Sequence, residues 1–195
     1  MGQRLVVSIK ANDKLLANAY YHWSGYTGSS IGCTEIIIET IKSMDKVEPD
    51  VRTAVYLLRS TGADLIETEK DKVSEELKDL YQNLKPANRN DGIISITKEQ
   101  MSEYQSYSEG DVIIDIGTND IYFGVYWVDM LDKDHMIKKH DLFPVTSVPY
   151  INHADIPYHT TIDTFYKFVE LYMNNPDGCF GITSDNKGYI MGWIH

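Results

Sequence analysis

Apolar and polar positions alternate from Arg4 to Lys10, with Leu5, Val7 and Ile9 on one side. Asn12-Asp13 interrupts the pattern, and Leu15 to Trp23 alternates again, the period-two signature of a β-hairpin. In the second strand this alternation places Leu15, Ala17, Ala19, Tyr21 and Trp23 on one face and Leu16, Asn18, Tyr20 and His22 on the other. After the loop Ser24 to Ser30, the three- and four-residue spacing of Ile31, Ile37, Ile38, Ile41 and Met44 predicts a helix. Ser29 or Ser30 is its expected cap. A second helix opens at Glu48-Pro49-Asp50, presents Val51, Ala54, Val55 and Leu58, and stops near Gly62. A third is predicted from Thr68, with Asp71 at capping-box spacing and Val73, Leu77, Leu80, Tyr81 and Leu84 on one stripe.

Further along, Pro86 to Gly92 reads as a loop, Ile93 to Thr97 as a strand and Lys98 to Tyr107 as a short helix. Val112 to Ile116 and Ile121 to Trp127 flank Gly117-Thr118-Asn119-Asp120 as a second hairpin. Residues 129–160 carry Pro144 and Pro149 with little periodicity, and read as an extended or looped segment. Ile162, Phe165, Phe168, Val169 and Tyr172 make an amphipathic helix, and Cys179 to Thr183 with Tyr189 to Ile194 a last hairpin. Strands joined by tight turns favour an α+β fold over a parallel array: a mainly antiparallel sheet built from hairpins, with helices packed on one face. No internal repeat or linker divides the chain, so residues 1–195 are read as a single domain.

Composition narrows the class. Apolar residues make up 43% and charged residues 24%, the balance of a globular protein. No stretch approaches the roughly 18 apolar residues of a membrane span. The opening Met1 to Val6 runs into a strand pattern instead of a signal peptide, and Val6 stands where N-myristoylation wants Ser or Thr, so a cytoplasmic location is expected. Cys33 and Cys179 have no partner at metal or redox spacing and read as reduced core residues. The net charge of -11 is uneven: residues 1–98 hold 13 basic and 14 acidic residues, residues 99–195 hold 5 and 15. Such a field repels phosphate backbones, which argues against nucleic-acid binding and for a basic protein partner if the charge serves one.

Candidate chemistry concentrates in Tyr20 to Ser30. A glycine- and hydroxyl-rich loop entering a helix presents unpaired N–H groups and the positive end of the helix dipole, a cradle for an anion. Aromatic neighbours can stack on a base. His22, Trp23, Tyr26, Thr27, Ser29 and Ser30 are therefore candidate ligand contacts. The segment lacks the lysine of a P-loop and the glycine pattern of a dinucleotide-binding turn. Arg89 and Asn90, in Asn88-Arg89-Asn90-Asp91-Gly92, form a second candidate, because arginine on a turn makes planar bidentate contacts with phosphate. The ordinary alternatives are a strand-to-helix loop with core aromatics and a turn that needs Asn and Gly for its backbone. His153, Asp155 and His159 do not fall on one helical face, and Asp129, Asp132 and Asp134 lack a calcium-loop pattern, so no metal and no cofactor is expected. No nucleophile elbow or catalytic cysteine signature occurs, and Gly2 offers no N-terminal nucleophile, so no catalytic residue is assigned. Tyrosine is frequent, at 14 residues, including Tyr104 and Tyr107 in surface segments; it serves binding surfaces and strands alike.

The strings Leu16-Ala17-Asn18-Ala19-Tyr20-Tyr21-His22-Trp23-Ser24-Gly25-Tyr26-Thr27 and Asn88-Arg89-Asn90-Asp91-Gly92-Ile93-Ile94 resemble a family of small acidic proteins of phages and prophages of Gram-positive bacteria. The likeness spans the chain to about residue 128. It implies a host bacterial cytoplasm during infection and a role in evading host defence. Two classes of function then compete. One is a sponge that sequesters a small nucleotide-type immune signal through the candidate contacts above; a homo-oligomer would suit it, since such pockets are often built between subunits. The other is an acidic inhibitor, akin to an anti-CRISPR protein or DNA mimic, that covers a host defence nuclease through Asp129, Asp132 and Asp134. A hydrolase of a nucleotide signal ranks third, lacking a nucleophile or metal set.

Overall fold

The computed structural model describes residues 4–24, 27–86, 91–123 and 158–167. Seven strands form one mixed sheet: β1 (Leu5–Ala11), β2 (Lys14–Tyr21), β3 (Asp64–Leu65), β4 (Ile93–Ser95), β5 (Gly110–Asp115), β6 (Asp120–Phe123) and β7 (Tyr158–Thr161), in the order β3-β4-β2-β1-β5-β6-β7. The helices are α1 (Thr27–Ser43), α2 (Val51–Arg59) and α3 (Lys98–Ser106). Two of the three expected hairpins fall among the described residues and are present: β1 pairs antiparallel with β2 and β5 with β6. The antiparallel pairs β2·β4 and β6·β7 extend the sheet, while β1·β5 and β3·β4 run parallel. The fold is α+β with a mostly antiparallel sheet.

Alternation along the strands separates two layers. Leu5, Val7 and Ile9 of β1, Ala17, Ala19 and Tyr21 of β2, Ile94 of β4 and Val112 and Ile114 of β5 share one core with Ile31, Cys33, Ile37 and Ile38 of α1 and Ala54, Val55, Leu57 and Leu58 of α2. These side chains are essentially removed from water, and burying one of this size is worth about 1.5–3 kcal/mol. The neighbouring positions Val6, Tyr20 and Ile93 form a second cluster with Tyr104 of α3. The helices therefore occupy both faces of the sheet, α1 and α2 on one and α3 on the other, where the sequence suggested one. The signal for α3 was weak because only Met101 and Tyr104 of its residues are buried.

Local departures have identifiable causes. A register shift between Ile9 and Lys10 pairs Ile9 with Ala17 but Lys10 with Leu15, so Leu16 is bulged and joins the core while Leu15 is exposed. A bulge breaks strict alternation, which is why Leu15 and Leu16 exchange the faces expected of them. α1 begins at Thr27, so Ser29 and Ser30 lie inside it and do not cap it. Asp50 does cap α2, accepting from the Thr53 amide at 2.8 Å. The expected third helix is two 3-10 segments, Glu67–Lys72 and Glu75–Tyr81, separated by extended Val73 and Ser74. Its halves answer to different partners: Glu69 turns inward to Ser95, whereas Asp79 is held in the bidentate fork of Arg52 at 2.7 and 2.8 Å. The last residues of the segment read as extended or looped, from Tyr158, are extended and belong to β7. The rest of that segment and the C-terminal hairpin lie outside the described residues. No helix among the described residues is long and apolar enough to cross a membrane.

Candidate functional site

The face carrying α3 is where side chains of binding character gather. Tyr20 pairs with Val6 on one side and Ile93 on the other, so the three stand in a row on this face. Tyr104 of α3 stacks on Tyr20, with ring centres 5.0 Å apart and planes 19° from parallel. His22, two residues on and so on the same face, places Nδ1 2.8 Å from the Tyr20 hydroxyl. The His22 ring meets Trp23 edge-on at 4.9 Å, and the Trp23 side chain is 44% exposed.

Arg4 forms the opposite rim. Its backbone N–H donates to Glu109 Oε2 at 2.9 Å, and its carbonyl accepts from the amides of Glu109 at 2.9 Å and Gly110 at 3.0 Å, which pins the residue where β1 meets β5. The guanidinium lies 6.0 Å from the centre of the Tyr107 ring, at the outer limit of a cation–π contact. None of the ion pairs among the described residues involves Arg4. The Tyr107 hydroxyl donates to Glu103 Oε1 at 3.2 Å, and Gln100 Nε2 donates to Glu103 Oε2 at 3.0 Å. Between these groups, with Ile66 and Ile93 as apolar lining, lies a cavity of about 520 Å³. That volume falls in the range of small-molecule sites, and apolar walls with a few convergent polar groups are their usual composition.

Beside the cavity a buried polar layer anchors α3. Ser8, Asn18 and Ser95 stand in register across β1, β2 and β4. Asn18 Nδ2 donates to the Met101 carbonyl at 3.0 Å, tying β2 to α3. Glu69, 1% exposed, accepts from the Ser95 hydroxyl at 2.7 Å, and the hydroxyls of Thr97 and Tyr81 approach it at 3.5 Å. Burial pushes the Glu69 carboxyl above its ordinary range; the donors Ser95, Ile96 N–H and Thr97 and the charge of Lys72 oppose this without cancelling it. Burial likewise raises Asp111, the β5 neighbour of Val6, to about 6 against the bonds of Ser108 and Gln105.

The residues expected to contact ligand divide. His22 lines the cavity and Trp23 packs against it, both at the end of β2. Ser29 and Ser30 are 5% and 0% exposed within α1, whose core contacts are on the other face of the sheet, so they do not join His22 in one site. Thr27 begins α1. Tyr26, Arg89, Asn90, Asp129, Asp132 and Asp134 lie outside the described residues. Arg4, Gln100, Glu103 and the pairing of Tyr20 with Tyr104 were not singled out as contacts in the sequence. Their one trace there is the abundance of tyrosine, because α3 reaches β2 only through a crossover connection. Burial drives the Cys33 thiol up to about 12 despite a hydrogen bond with Tyr21, which makes it unreactive as a nucleophile. Among the described residues no three His, Cys, Asp or Glu side chains gather as a metal set.

Compared with known proteins, the chain matches no family model, no curated protein and no solved structure.

Proposed function

We propose that this protein binds and sequesters a small nucleotide-type ligand in the cavity between β2 and α3, as a phage counter-defence protein acting on a host immune signal. The observation that carries the reading is the cavity of about 520 Å³ with a cation, Arg4, at one rim and Tyr20, His22, Tyr104 and Tyr107 around it. The less buried rings of His22 and Tyr107 can take up a base, each stack contributing roughly 1–3 kcal/mol, while the buried, mutually stacked Tyr20 and Tyr104 form the wall. A guanidinium takes up phosphate through charge-assisted, planar hydrogen bonds. With Nδ1 engaged by Tyr20, Nε2 is the His22 nitrogen left to meet a ligand.

Native mass spectrometry tests this, using the full chain incubated with a deproteinised extract of phage-challenged bacteria. The expected result is a nucleotide-sized adduct that is released intact on denaturation. Arg4→Ala and Tyr107→Ala should each reduce its occupancy about tenfold or more. Release of a cleaved nucleotide would mean a hydrolase. Absence of any adduct, with a host nuclease recovered by pull-down, would replace the sponge with the acidic inhibitor.

A further inference from the structure

We infer that the cavity selects a guanine nucleotide whose phosphate is a singly charged diester, with Glu103 as the residue that specifies the base. The inference rests on the nucleotide reading of the same cavity. Among the described residues that line it, Arg4 is the only permanent cation and Glu103 the only carboxylate. The Tyr107 side chain connects them: its ring faces the Arg4 guanidinium and its hydroxyl meets Glu103. The site is therefore polarised, positive at the start of β1 and negative on α3.

Charge decides the phosphate class. One guanidinium balances one negative charge, and Glu109, bonded to the Arg4 amide, adds a second carboxylate beside it. A phosphomonoester carries about -1.5 to -2 at pH 7, and a triphosphate more, leaving uncompensated negative charge next to Glu103 and Glu109. A diester carries a single charge, which the guanidinium matches one for one, so it adds the least negative charge beside the two carboxylates.

Donor count decides the base. A carboxylate accepts roughly four hydrogen bonds, and two at Glu103 are taken by Tyr107 and Gln100. The remaining capacity fits two adjacent donors. Guanine supplies them on one edge as N1–H and the exocyclic amine, whereas adenine turns an unprotonated N1 toward the same position. A carboxylate facing that acceptor is repelled, so discrimination comes from repulsion as well as attraction.

Isothermal titration calorimetry of the full chain with cyclic GMP, cyclic AMP and GTP tests the inference. Cyclic GMP should bind about tenfold or more tightly than cyclic AMP, and more tightly than GTP. Glu103→Gln, an exposed substitution on α3, should remove most of the preference for cyclic GMP over cyclic AMP while leaving the circular dichroism spectrum unchanged. Equal binding of the two cyclic nucleotides, tighter binding of GTP, or a preference that survives Glu103→Gln would overturn the inference and leave the nucleotide reading standing. If none of the three probes binds the wild-type chain, this inference falls, and the nucleotide reading falls with it only if no nucleotide-sized adduct is recovered from extract either.

Discussion

Single residues fix the turns from which the sheet is built. Asp115 at the end of β5 is 2% exposed and accepts from the Asn12 amide at 2.9 Å, the Gly117 amide at 2.9 Å and Lys10 Nζ at 3.2 Å. It thereby ties the turn of the first hairpin to that of the second, and Asn12 and Asn119 adopt the positive φ those turns require. Desolvation works to raise its pKa, but the amides of Asn12 and Gly117 and the Lys10 charge together hold it below the ordinary carboxylate value. A depressed folded-state pKa gives stability that is complete above the unfolded value of about 3.9 and is lost as pH falls through the folded value. Asp115→Ala should therefore cost about 1–3 kcal/mol near neutrality, read as a lower urea midpoint at unchanged m, with the gap narrowing in acid. The turn residues were legible in the sequence; that one buried aspartate serves both turns was not. Gly92, in the second string of the family resemblance, has φ +99°, and a Cβ there would strike the Tyr21 ring and sit 2.8 Å from Ala63 Cβ. At that position the bland reading of the segment, a turn needing glycine for its backbone, accounts for the residue.

At the scale of elements, α2 formed close to where it was read, starting at Val51 instead of Glu48, because its signals are local: an Asp50 cap, buried residues between Thr53 and Leu58, and Gly62 at φ +97° beyond its end. The segment 67–81 broke into two 3-10 pieces because long-range partners outweighed its helical periodicity. Arg52 holds the second piece, while Glu69 in the first reaches Ser95 and Thr97 at the junction of β4 with α3. Thr97 lacks a side-chain bond capping α3, its hydroxyl being turned toward Glu69. Because burial raises the Glu69 pKa, the folded chain binds its proton more tightly than the unfolded one. The sign is then opposite to that of Asp115: stability falls as pH rises from about 4.3 through the folded pKa. Glu69→Gln should gain stability relative to wild type over that interval, measured as a difference in Tm that grows with pH. A constant difference across the range would refute this account of Glu69.

For the molecule as a whole, the sheet order decides where a site can exist. The connection from β4 to β5 carries α3 across the face opposite α1 and α2 and brings Gln100, Glu103, Tyr104 and Tyr107 to the ends of β1 and β2. A ligand held between α3 and the sheet binds only the assembled fold, so saturation should raise Tm. At a ligand concentration one hundred times Kd the gain is about 2.7 kcal/mol. Differential scanning fluorimetry with cyclic GMP should show that rise in wild type and its loss in Arg4→Ala; a rise preserved in the variant would place binding elsewhere.

Periods of two and three to four residues and turn residues act over a few positions, and they alone determined the two described hairpins, the existence of α1, α2 and α3 and the α+β class. His22 and Trp23 stand out in the sequence as aromatic neighbours of the glycine-rich loop, just beyond the end of β2. The pairing of β1 with β5, the side of the sheet that α3 covers and the meeting of Arg4 with Tyr107 depend on contacts between residues roughly 80 to 105 positions apart. Only the tertiary structure decided those, because the energy that selects them comes from burial and hydrogen bonds that no local stretch of chain contains.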